Sequence, residues 1–225
     1  MDGDKSKPPT AVLVSGGIDS AVLVAELCEQ GSQVFPLFVR GGLIWEEAEL
    51  GHLRDFLQAI ARPELQPLRV LELPVRDVYA DHWCTTGRGV PDDESADDAV
   101  FLPGRNLFLI SKAAIWCEFN GISTLALGSL AANPFADSTP EFDELLGELI
   151  QLTLGMPLRI VRPFALFDKA AVVRRGAVLP LEHTFSCINP VGVRHCGRCN
   201  KCAERRRGFE QAGVLDRTDY AVPPR

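Results

Sequence analysis

Two groups of residues in this 225-residue chain have the types and spacing needed for chemistry. The first is a run of small and polar residues near the start, Ser15-Gly16-Gly17-Ile18-Asp19-Ser20. The second is a set of four cysteines that fall within sixteen positions near the end: Cys187, Cys196, Cys199 and Cys202. The first group predicts an anion-binding loop, and the second predicts a metal site.

The glycine-rich run follows the apolar segment Ala11–Val14 and opens a stretch with helical periodicity. Adjacent glycines permit positive φ and let backbone N–H groups point into one concavity. The helix that follows adds free N–H groups and the positive end of its dipole. We therefore predict a cradle for a phosphate or pyrophosphate, formed by Leu13, Val14, Ser15, Gly16, Gly17, Ile18, Asp19 and Ser20.

Asp19 has two possible roles in this cradle, since it can cap the helix or hold a magnesium ion. The run is not a Walker A loop, because no Gly-Lys-Ser/Thr follows at the required spacing. The alternative interpretation is an ordinary turn from strand to helix, with Asp19 and Ser20 as capping side chains.

The cysteine group has three members at three-residue steps and a fourth nine residues upstream. Four thiolates can surround one ion tetrahedrally with no open position, which is typical of a structural zinc site. We predict one zinc ion per chain, with an iron–sulfur cluster as the alternative. The scattered Cys28, Cys84 and Cys117 are expected to be free thiols, as in cytosolic proteins.

Composition excludes several classes of protein. Hydrophobic residues make up 46% of the chain and charged residues 24%, so the bulk of it is neither disordered nor collagenous. No apolar run approaches the ~20 residues of a membrane span, and we expect a soluble cytoplasmic protein. The net charge of −7 argues against nucleic acid as a partner. A local basic cluster around Arg205–Arg207 is expected to lie on an exposed helix face.

The order of periodic segments predicts an α/β fold with a parallel sheet covered on both faces. Strands are expected at 11–14, 34–39, 68–73, 124–127 and 160–164, and helices at 19–30, 45–60, 106–120, 140–154 and 168–175. Pro36 suggests a bulge or an edge strand. The acidic stretch 76–100 has no period and predicts a lid or a disordered loop. We expect a flexible N-terminus over 1–10, an α/β domain over 11–185 and a cysteine-rich module with a C-terminal helix over 186–225.

The SGGIDS run after a first strand resembles the pyrophosphate loop of the N-type ATP pyrophosphatases. That group includes GMP synthetase and argininosuccinate synthetase. The resemblance implies a Rossmann-like fold of the adenine nucleotide alpha hydrolase type. It also implies that ATP adenylates a substrate oxygen, that pyrophosphate leaves, and that a nucleophile then displaces AMP.

Further motifs narrow the resemblance to the 7-cyano-7-deazaguanine synthase family of queuosine biosynthesis. They follow the family's order from Val12 to Tyr220 and comprise LPGRN at 102–106, LALG at 125–128, PEF at 140–142, DKA at 168–170 and the run from Ser186 through CGRCNKC to Tyr220. The resemblance implies an ATP- and magnesium-dependent ligase, with bound zinc and a homodimeric state. Its implied reaction converts 7-carboxy-7-deazaguanine and ammonia to the nitrile, with ammonia taken up free.

Two segments depart from the family pattern. Where family members carry a Tyr-Gly-Gln-Arg-His segment after the second strand, this chain has Arg40-Gly41-Gly42-Leu43-Ile44. The loop Ser129–Thr139 is shorter than the family's and keeps the aspartate of its pattern as Asp137, but has Thr139 at the arginine position. Because this loop lies where the deazapurine should be recognised, the departure bears on the identity of the substrate.

The resemblance and residue chemistry together assign candidate roles. Asp19, Lys169 and Arg105 are the catalytic candidates, with Lys169 and Arg105 neutralising charge on phosphates or a carboxylate. The candidate substrate-binding residues are Phe135 for stacking, Asp137 for a guanine-like edge, and Asn106. Each has a structural alternative: a surface residue for Lys169, helix capping or pairing with the acidic loop for Arg105 and Asn106, and core or turn positions for Phe135 and Asp137.

The sequence is therefore compatible with three functions. The first is the nitrile-forming ligase. The second is an adenylating paralogue with another acceptor, such as a different small carboxylate or a tRNA base, which the altered loop motivates. The third is a zinc-stabilised nucleotide-binding protein without catalysis, against which the intact SGGIDS run argues.

Overall fold

Five parallel strands form the centre of the molecule, in the order β3-β2-β1-β4-β5. The structure, a computed structural model, describes residues 7–131 and 133–222. The strands are β1 (Lys7–Leu13), β2 (Ser32–Arg40), β3 (Arg69–Glu72), β4 (Thr124–Leu127) and β5 (Arg159–Val161). The α-helices are α1 (Ile18–Glu29), α2 (Glu46–Ala59), α3 (Arg76–Tyr79), α4 (Trp83–Thr86), α5 (Arg105–Phe119), α6 (Pro140–Leu154), α7 (Lys169–Arg175) and α8 (Asn200–Ala212).

Helices cover both faces of this sheet. Successive strand residues point to opposite faces, and the two core clusters follow that alternation. Val12 and Phe38 pack with α1, α2 and α7 on one face. Ala11, Leu37 and Leu125 pack with α5 and α6 on the other. This confirms the predicted α/β class with its doubly covered parallel sheet.

The strand order places a switch point beside β1. The chain winds from β1 through β2 to β3 on one side, and then crosses to β4 and β5 on the other. Leu13 pairs with both Leu37 and Leu127, so the carboxyl ends of β1 and β4 lie side by side. In sheets of this kind, ligands bind in the crevice outside the carboxyl ends at the switch point.

Three local expectations differ from the structure. Strand β1 begins at Lys7, whereas residues 1–10 were expected to be flexible; residues 1–6 lie outside the described part of the chain. Pro36 lies in an interior strand, between the Val34–Leu65 bridge and the first β2–β3 pair at Leu37. Its missing N–H therefore interrupts no pairing with β3. The stretch 76–100 contains α3, α4 and a 3₁₀ turn at Asp97–Val100, rather than an irregular loop alone.

The C-terminal segment packs closely on the α/β layers. Helix α8 approaches α7 so tightly that a Cβ on Gly208 would lie 2.5 Å from Cγ of Lys169. Phe209 of α8 belongs to the same core cluster as Val12. The division of the chain at residue 185 stays a prediction. None of the helices in the described residues has the length and apolar character needed to span a bilayer.

Gly128, directly after β4, offers a test of how closely this strand end approaches α1. A Cβ at this position would lie 2.9 Å from the carbonyl carbon of Asp19 and 2.9 Å from the amide nitrogen of Ser20. Since backbone must move to admit a methyl group, we expect Gly128→Ala to lower the free energy of unfolding by about 1–3 kcal/mol. Urea denaturation measures this.

Gly51→Ala is the matched control for this substitution. Gly51 lies within α2, and nothing lies within 4 Å of the Cβ that the substitution adds. We expect unchanged stability or a gain of up to ~1 kcal/mol, because alanine has the higher helix propensity. Equal stabilities for wild type and Gly128→Ala would contradict the close approach.

Candidate active site and metal centre

The loop after β1 presents an open helix end. Gly16 has φ +75°, a conformation that glycine adopts readily, and Gly17 is the N-cap residue of α1. No side chain of the described residues caps this helix end, so Asp19 does not take the capping role. The Ser20 hydroxyl accepts from the Ser15 N–H at 3.3 Å and donates to the Gly17 carbonyl at 3.2 Å. Uncapped N–H groups and the positive dipole end make this turn suited to an anion.

A cavity of about 530 Å³ opens at the carboxyl ends of β1 and β4. Its volume is in the range of small-molecule sites. Ten of the predicted site residues line it: Leu13, Val14, Ser15, Asp19, Ser20, Arg105, Asn106, Phe135, Asp137 and Lys169. The side chain of Ile18 is buried in the core instead. The cavity thus joins the predicted loop to residues from α5, α7 and the loop 129–139.

A chain of alternating charges crosses one side of the cavity. The Lys169 ammonium lies 2.7 Å from Asp19 and 3.2 Å from Glu204, and Lys201 lies 2.6 Å from the other Glu204 oxygen. With a side chain only 18% exposed, Lys169 is not a free surface residue. Glu204 and Lys201 were not foreseen, because the pairing joins residues far apart in sequence.

Charge pairing sets the protonation of this network. Burial lowers the pKa of Lys169, but Asp19 and Glu204 raise it, and the net shift is upward. Burial raises the pKa of Glu204, whereas Lys169 and Lys201 lower it, and the pKa falls to about 2. Both groups are therefore charged at neutral pH. The second oxygen of Asp19, Oδ1, is buried without a hydrogen-bond partner among the described residues and is free to meet a cation or a ligand.

Asn106 and Asp137 bind each other. The backbone N–H of Asn106 donates to Asp137 Oδ2 at 3.1 Å, and its side-chain amide donates to Asp137 Oδ1 at 3.1 Å. This pairing ties the loop 129–139 to the first turn of α5. The side chain of Arg105, next to Asn106, makes no hydrogen bond or ion pair with the described residues, and the residue lines the cavity.

Aromatic side chains form another part of the cavity wall. The Trp45 and Trp83 rings stack with centroids 5.7 Å apart, and Phe101 packs on Phe135 at 5.2 Å. All four residues line the cavity. Trp45 also belongs to a core cluster, and Trp83 packs against that cluster, so this wall is continuous with the interior of the protein.

The four cysteines meet in one buried cluster. Their sulfur atoms all lie within 4.8 Å of one another, with Cys187–Cys199 and Cys196–Cys202 each 3.8 Å apart. Zinc–sulfur bonds of ~2.3 Å place tetrahedral sulfurs roughly 3.8 Å apart. Backbone N–H groups of Cys196 and Asn189 donate to the Cys187 sulfur, as thiolate ligands require. The residues fit a structural zinc ion.

Comparison with known proteins gives the family. The family model described as "Queuosine biosynthesis protein QueC" matches residues 10–213. The chain belongs to the QueC family. Among its relatives, the 7-cyano-7-deazaguanine synthase of Methanothrix thermoacetophila is 31% identical over 92% of this chain and 96% of the relative. The synthase of Xanthomonas campestris pv. campestris (strain B100) is 32% identical over 94% and 97%.

A solved structure supports the fold. The 4-thiouridine synthetase crystallised in an RNA complex with bound ATP matches at a TM-score of 0.51 and 18% identity, over 91% of this chain and 50% of that chain. Together with the strand order, this confirms the predicted fold class. The family resemblance inferred from the motifs is confirmed as well.

The basic side chains at 205–207 of this QueC-family chain bind partners within the protein. Arg205 is 1% exposed and donates to Thr184, Thr218 and the Leu181 carbonyl, so the predicted exposed face is wrong for this residue. These acceptors satisfy the N–H groups of the guanidinium, which is why the charge can be buried. Arg207 lies 3.6 Å from Asp97 of the acidic stretch.

One further residue, missed by sequence reasoning, holds the altered loop. The guanidinium of Arg162, directly after β5, donates to Ser129 at 2.5 Å and to Ser138 at 2.7 Å. It also forms two bonds to Asp143 of α6, at 2.5 and 2.7 Å. Both ends of the loop 129–139 are therefore fastened to one buried side chain; Ala132 lies outside the described residues.

Metal content tests the cysteine cluster. Purified wild-type protein is expected to carry about one zinc ion per chain, as four-cysteine sites do. Cys199→Ser should lose most of this metal and unfold at a lower temperature, because metal binding contributes to folding. Elemental analysis and thermal unfolding measure the two effects.

The control for the metal site is Cys117→Ala, which removes a buried thiol outside the cluster. It should keep its zinc even if its stability changes. Iron with visible absorption in the wild type would instead indicate an iron–sulfur cluster and would overturn the zinc assignment.

Arg162→Ala tests the fastening of the loop. Removing one partner leaves the Asp143 carboxylate, whose side chain is only 12% exposed, without its ion pair. We expect a loss of about 2–4 kcal/mol in unfolding free energy, somewhat below the cost for a fully buried pair. Hydrogen exchange should also accelerate across 129–139. Arg159→Ala, at an exposed position of β5, is the control and should change neither quantity by much. Unaltered exchange in the Arg162 variant would show that the loop is held by other contacts.

Proposed function

We propose that this chain uses ATP to activate a carboxylate for attack by ammonia, converting 7-carboxy-7-deazaguanine to 7-cyano-7-deazaguanine. The observation that carries the proposal is the uncapped N-terminus of α1, with Asp19 beside it, opening into the cavity at the sheet's switch point. Membership of the QueC family and the names of its relatives support a ligase of queuosine biosynthesis.

Activation gives the carboxylate a leaving group. A carboxylate oxygen of the substrate attacks the α-phosphorus of ATP, and pyrophosphate departs. In this proposal the N–H groups of the Gly16–Ser20 turn hold the pyrophosphate, as a helix N-terminus does for anions. Lys169 is fixed by Asp19 and Glu204, and the Arg105 side chain has no partner among the described residues. Both neutralise charge on the phosphates and the carboxylate.

The nitrile forms in two stages. Ammonia attacks the acyl carbon, AMP leaves, and the product is an amide. A second ATP activates the amide oxygen in the same way, and loss of AMP with a proton then gives the nitrile. A magnesium ion, when bound, supplies positive charge at the phosphates. Asp19 would hold that ion, since its Oδ1 has no partner among the described residues.

Binding of the ring and the assembly state belong to the same proposal. Phe135 and the neighbouring aromatic wall provide stacking surfaces for the deazapurine. The zinc ion is structural, because four thiolates leave no open position. Free ammonia as the nitrogen source, a homodimer and a cytoplasmic location remain proposals from the family resemblance.

A second candidate is a QueC-family paralogue that adenylates another acceptor. The specific observation in its favour is the departure of Arg40–Ile44 and Ser129–Thr139 from the family pattern. The aromatic wall and the free Arg105 would suit another planar carboxylate equally well.

Pyrophosphate release distinguishes these candidates. The assay contains ATP, magnesium and ammonia, with and without 7-carboxy-7-deazaguanine, and mass spectrometry detects the nitrile. We expect release that depends on the deazapurine. Pyrophosphate release that does not depend on the deazapurine, or no release from folded, zinc-loaded protein, would favour the second candidate, a paralogue with another acceptor.

Asp19→Ala and Lys169→Ala test the activation step. Each removes a charge that acts on the phosphates, and we expect kcat to fall roughly 10²–10³-fold, as for loss of one preorganised electrostatic group. Asp55→Ala, at an exposed position of α2, is the control and should retain wild-type activity. Full activity of the Asp19 variant would contradict the proposed loop chemistry.

A further inference from the structure

Two charged side chains in the cavity wall are left without a protein partner among the described residues. The other charged groups there are engaged: Asp19, Lys169, Lys201 and Glu204 in the charge chain, Asp97 with Arg207, Asp137 with Asn106, and Asp168 with the N–H of Ala171. Arg105 and Glu49 remain. Arg105 already has a role in the proposed chemistry, whereas Glu49 has none.

Glu49 is a buried carboxyl that faces the cavity. The residue is 7% exposed and lines the cavity, and its side chain forms no hydrogen bond or ion pair with the described residues. Its stem packs under the glycine-rich turn, since a Cβ on Gly16 would lie 3.1 Å from Cγ of Glu49. A buried carboxyl without partners costs free energy, so its retention here points to a ligand that supplies the missing bonds.

The surroundings of Glu49 indicate a flat ring with N–H donors. Trp45 precedes Glu49 by four residues, so the two lie one helical turn apart on the same side of α2. Both line the cavity, and Trp45 stacks on Trp83. The N-cap residue and the first turn of α2 thus place an aromatic ring and a carboxyl group together in the cavity wall.

Burial opposes the charge of Glu49, so its ionised form requires hydrogen bonds donated by a ligand. Burial raises the pKa of the Glu49 carboxyl, Arg105 lowers it, Glu46 raises it further, and the net shift is upward. Hydrogen bonds donated to the ionised form would offset that shift. An ionised carboxylate is only an acceptor, so it can take two N–H donors side by side.

We infer that Glu49 is the specificity-determining residue for the 2-amino and ring N–H edge of a guanine-like substrate. This inference rests on the proposed function and names the group that reads the substrate's ring. A guanine-type edge presents two adjacent donors to a carboxylate. An adenine edge presents a donor beside an acceptor, which an ionised carboxylate cannot satisfy. Asp137, the residue that sequence reasoning favoured for this edge, has its oxygens occupied by Asn106.

A comparison of two substrates tests the inference. Wild type and Glu49→Gln are assayed with 7-carboxy-7-deazaguanine and with its analogue that lacks the 2-amino group. Wild type should prefer the 2-amino compound by about 5- to 150-fold in kcat/KM, the discrimination expected for a bidentate pair. In Glu49→Gln this preference should fall close to unity, while the KM for ATP stays within about twofold of wild type. Asp55→Asn, on an exposed position of the same helix, should keep the wild-type preference.

The outcomes separate this inference from the proposed function. If wild type converts 7-carboxy-7-deazaguanine but Glu49→Gln keeps the full preference, the inference is wrong and the function stands. An increase in the KM for ATP alone would also overturn it, because the carboxyl would then face the nucleotide.

A binding measurement covers the case in which wild type does not turn over the deazapurine. Calorimetry with 7-deazaguanine and 7-deazahypoxanthine as probes compares the two proteins without catalysis. Tighter binding of 7-deazaguanine by wild type, lost in Glu49→Gln, would support the inference even if the proposed reaction fails. Equal affinity of wild type for both probes would refute it. Circular dichroism of the variant establishes folding, and Glu49→Asp serves in its place if the glutamine variant unfolds.

Discussion

The turn at Gly16 depends on backbone contacts that leave no room for a side chain. Its carbonyl accepts from the N–H of Phe185 at 2.7 Å, and a Cβ there would lie 3.0 Å from the Glu49 carbonyl oxygen. Gly128, directly after β4, lies close to the backbone of Asp19 and Ser20 in the first turn of α1. Three separate segments therefore fix one turn, and that turn aims the open end of α1 into the cavity. A rigid donor array of this kind loses little free energy in reorganisation when an anion binds.

The cysteine cluster contributes to the same site through its neighbours. Phe185, which holds Gly16, stands two residues before Cys187, and Glu204, which holds Lys169, stands two residues after Cys202. The acidic stretch also docks here, since Asn200 donates to the Pro91 and Ser95 carbonyls. A metal that orders the cluster would thus order the loop, the lysine and one cavity wall together.

The sequence predicts those parts of the fold and the site that depend on residues close together in the chain. It does not predict those that depend on contacts between distant segments. The glycine-rich turn, the cysteine cluster and most helices and strands follow from spacing and periodicity, because each depends on residues close in the chain. Glu204, Arg162 and Trp83 reach their roles through contacts with distant segments, and no local pattern marks them. Arg205 was misjudged for the same reason: a run of arginines predicts exposure, but its acceptors come from another part of the chain.

The two segments that depart from the family pattern have different consequences. In the first, Glu46 accepts from the N–H groups of Gly41, Gly42 and Leu43, and Arg40 pairs with Glu47. This segment is thereby folded back on the start of α2, and Trp45, the residue that follows it, lines the cavity. In the second, the guanidinium of Arg162, directly after β5, donates to Ser129 and Ser138 of the loop. Both segments are therefore held in place by hydrogen bonds to charged side chains. In the proposed function, discrimination between acceptors depends on two side chains of the cavity wall that have no partner among the described residues, Arg105 for an anionic group and Glu49 for N–H donors.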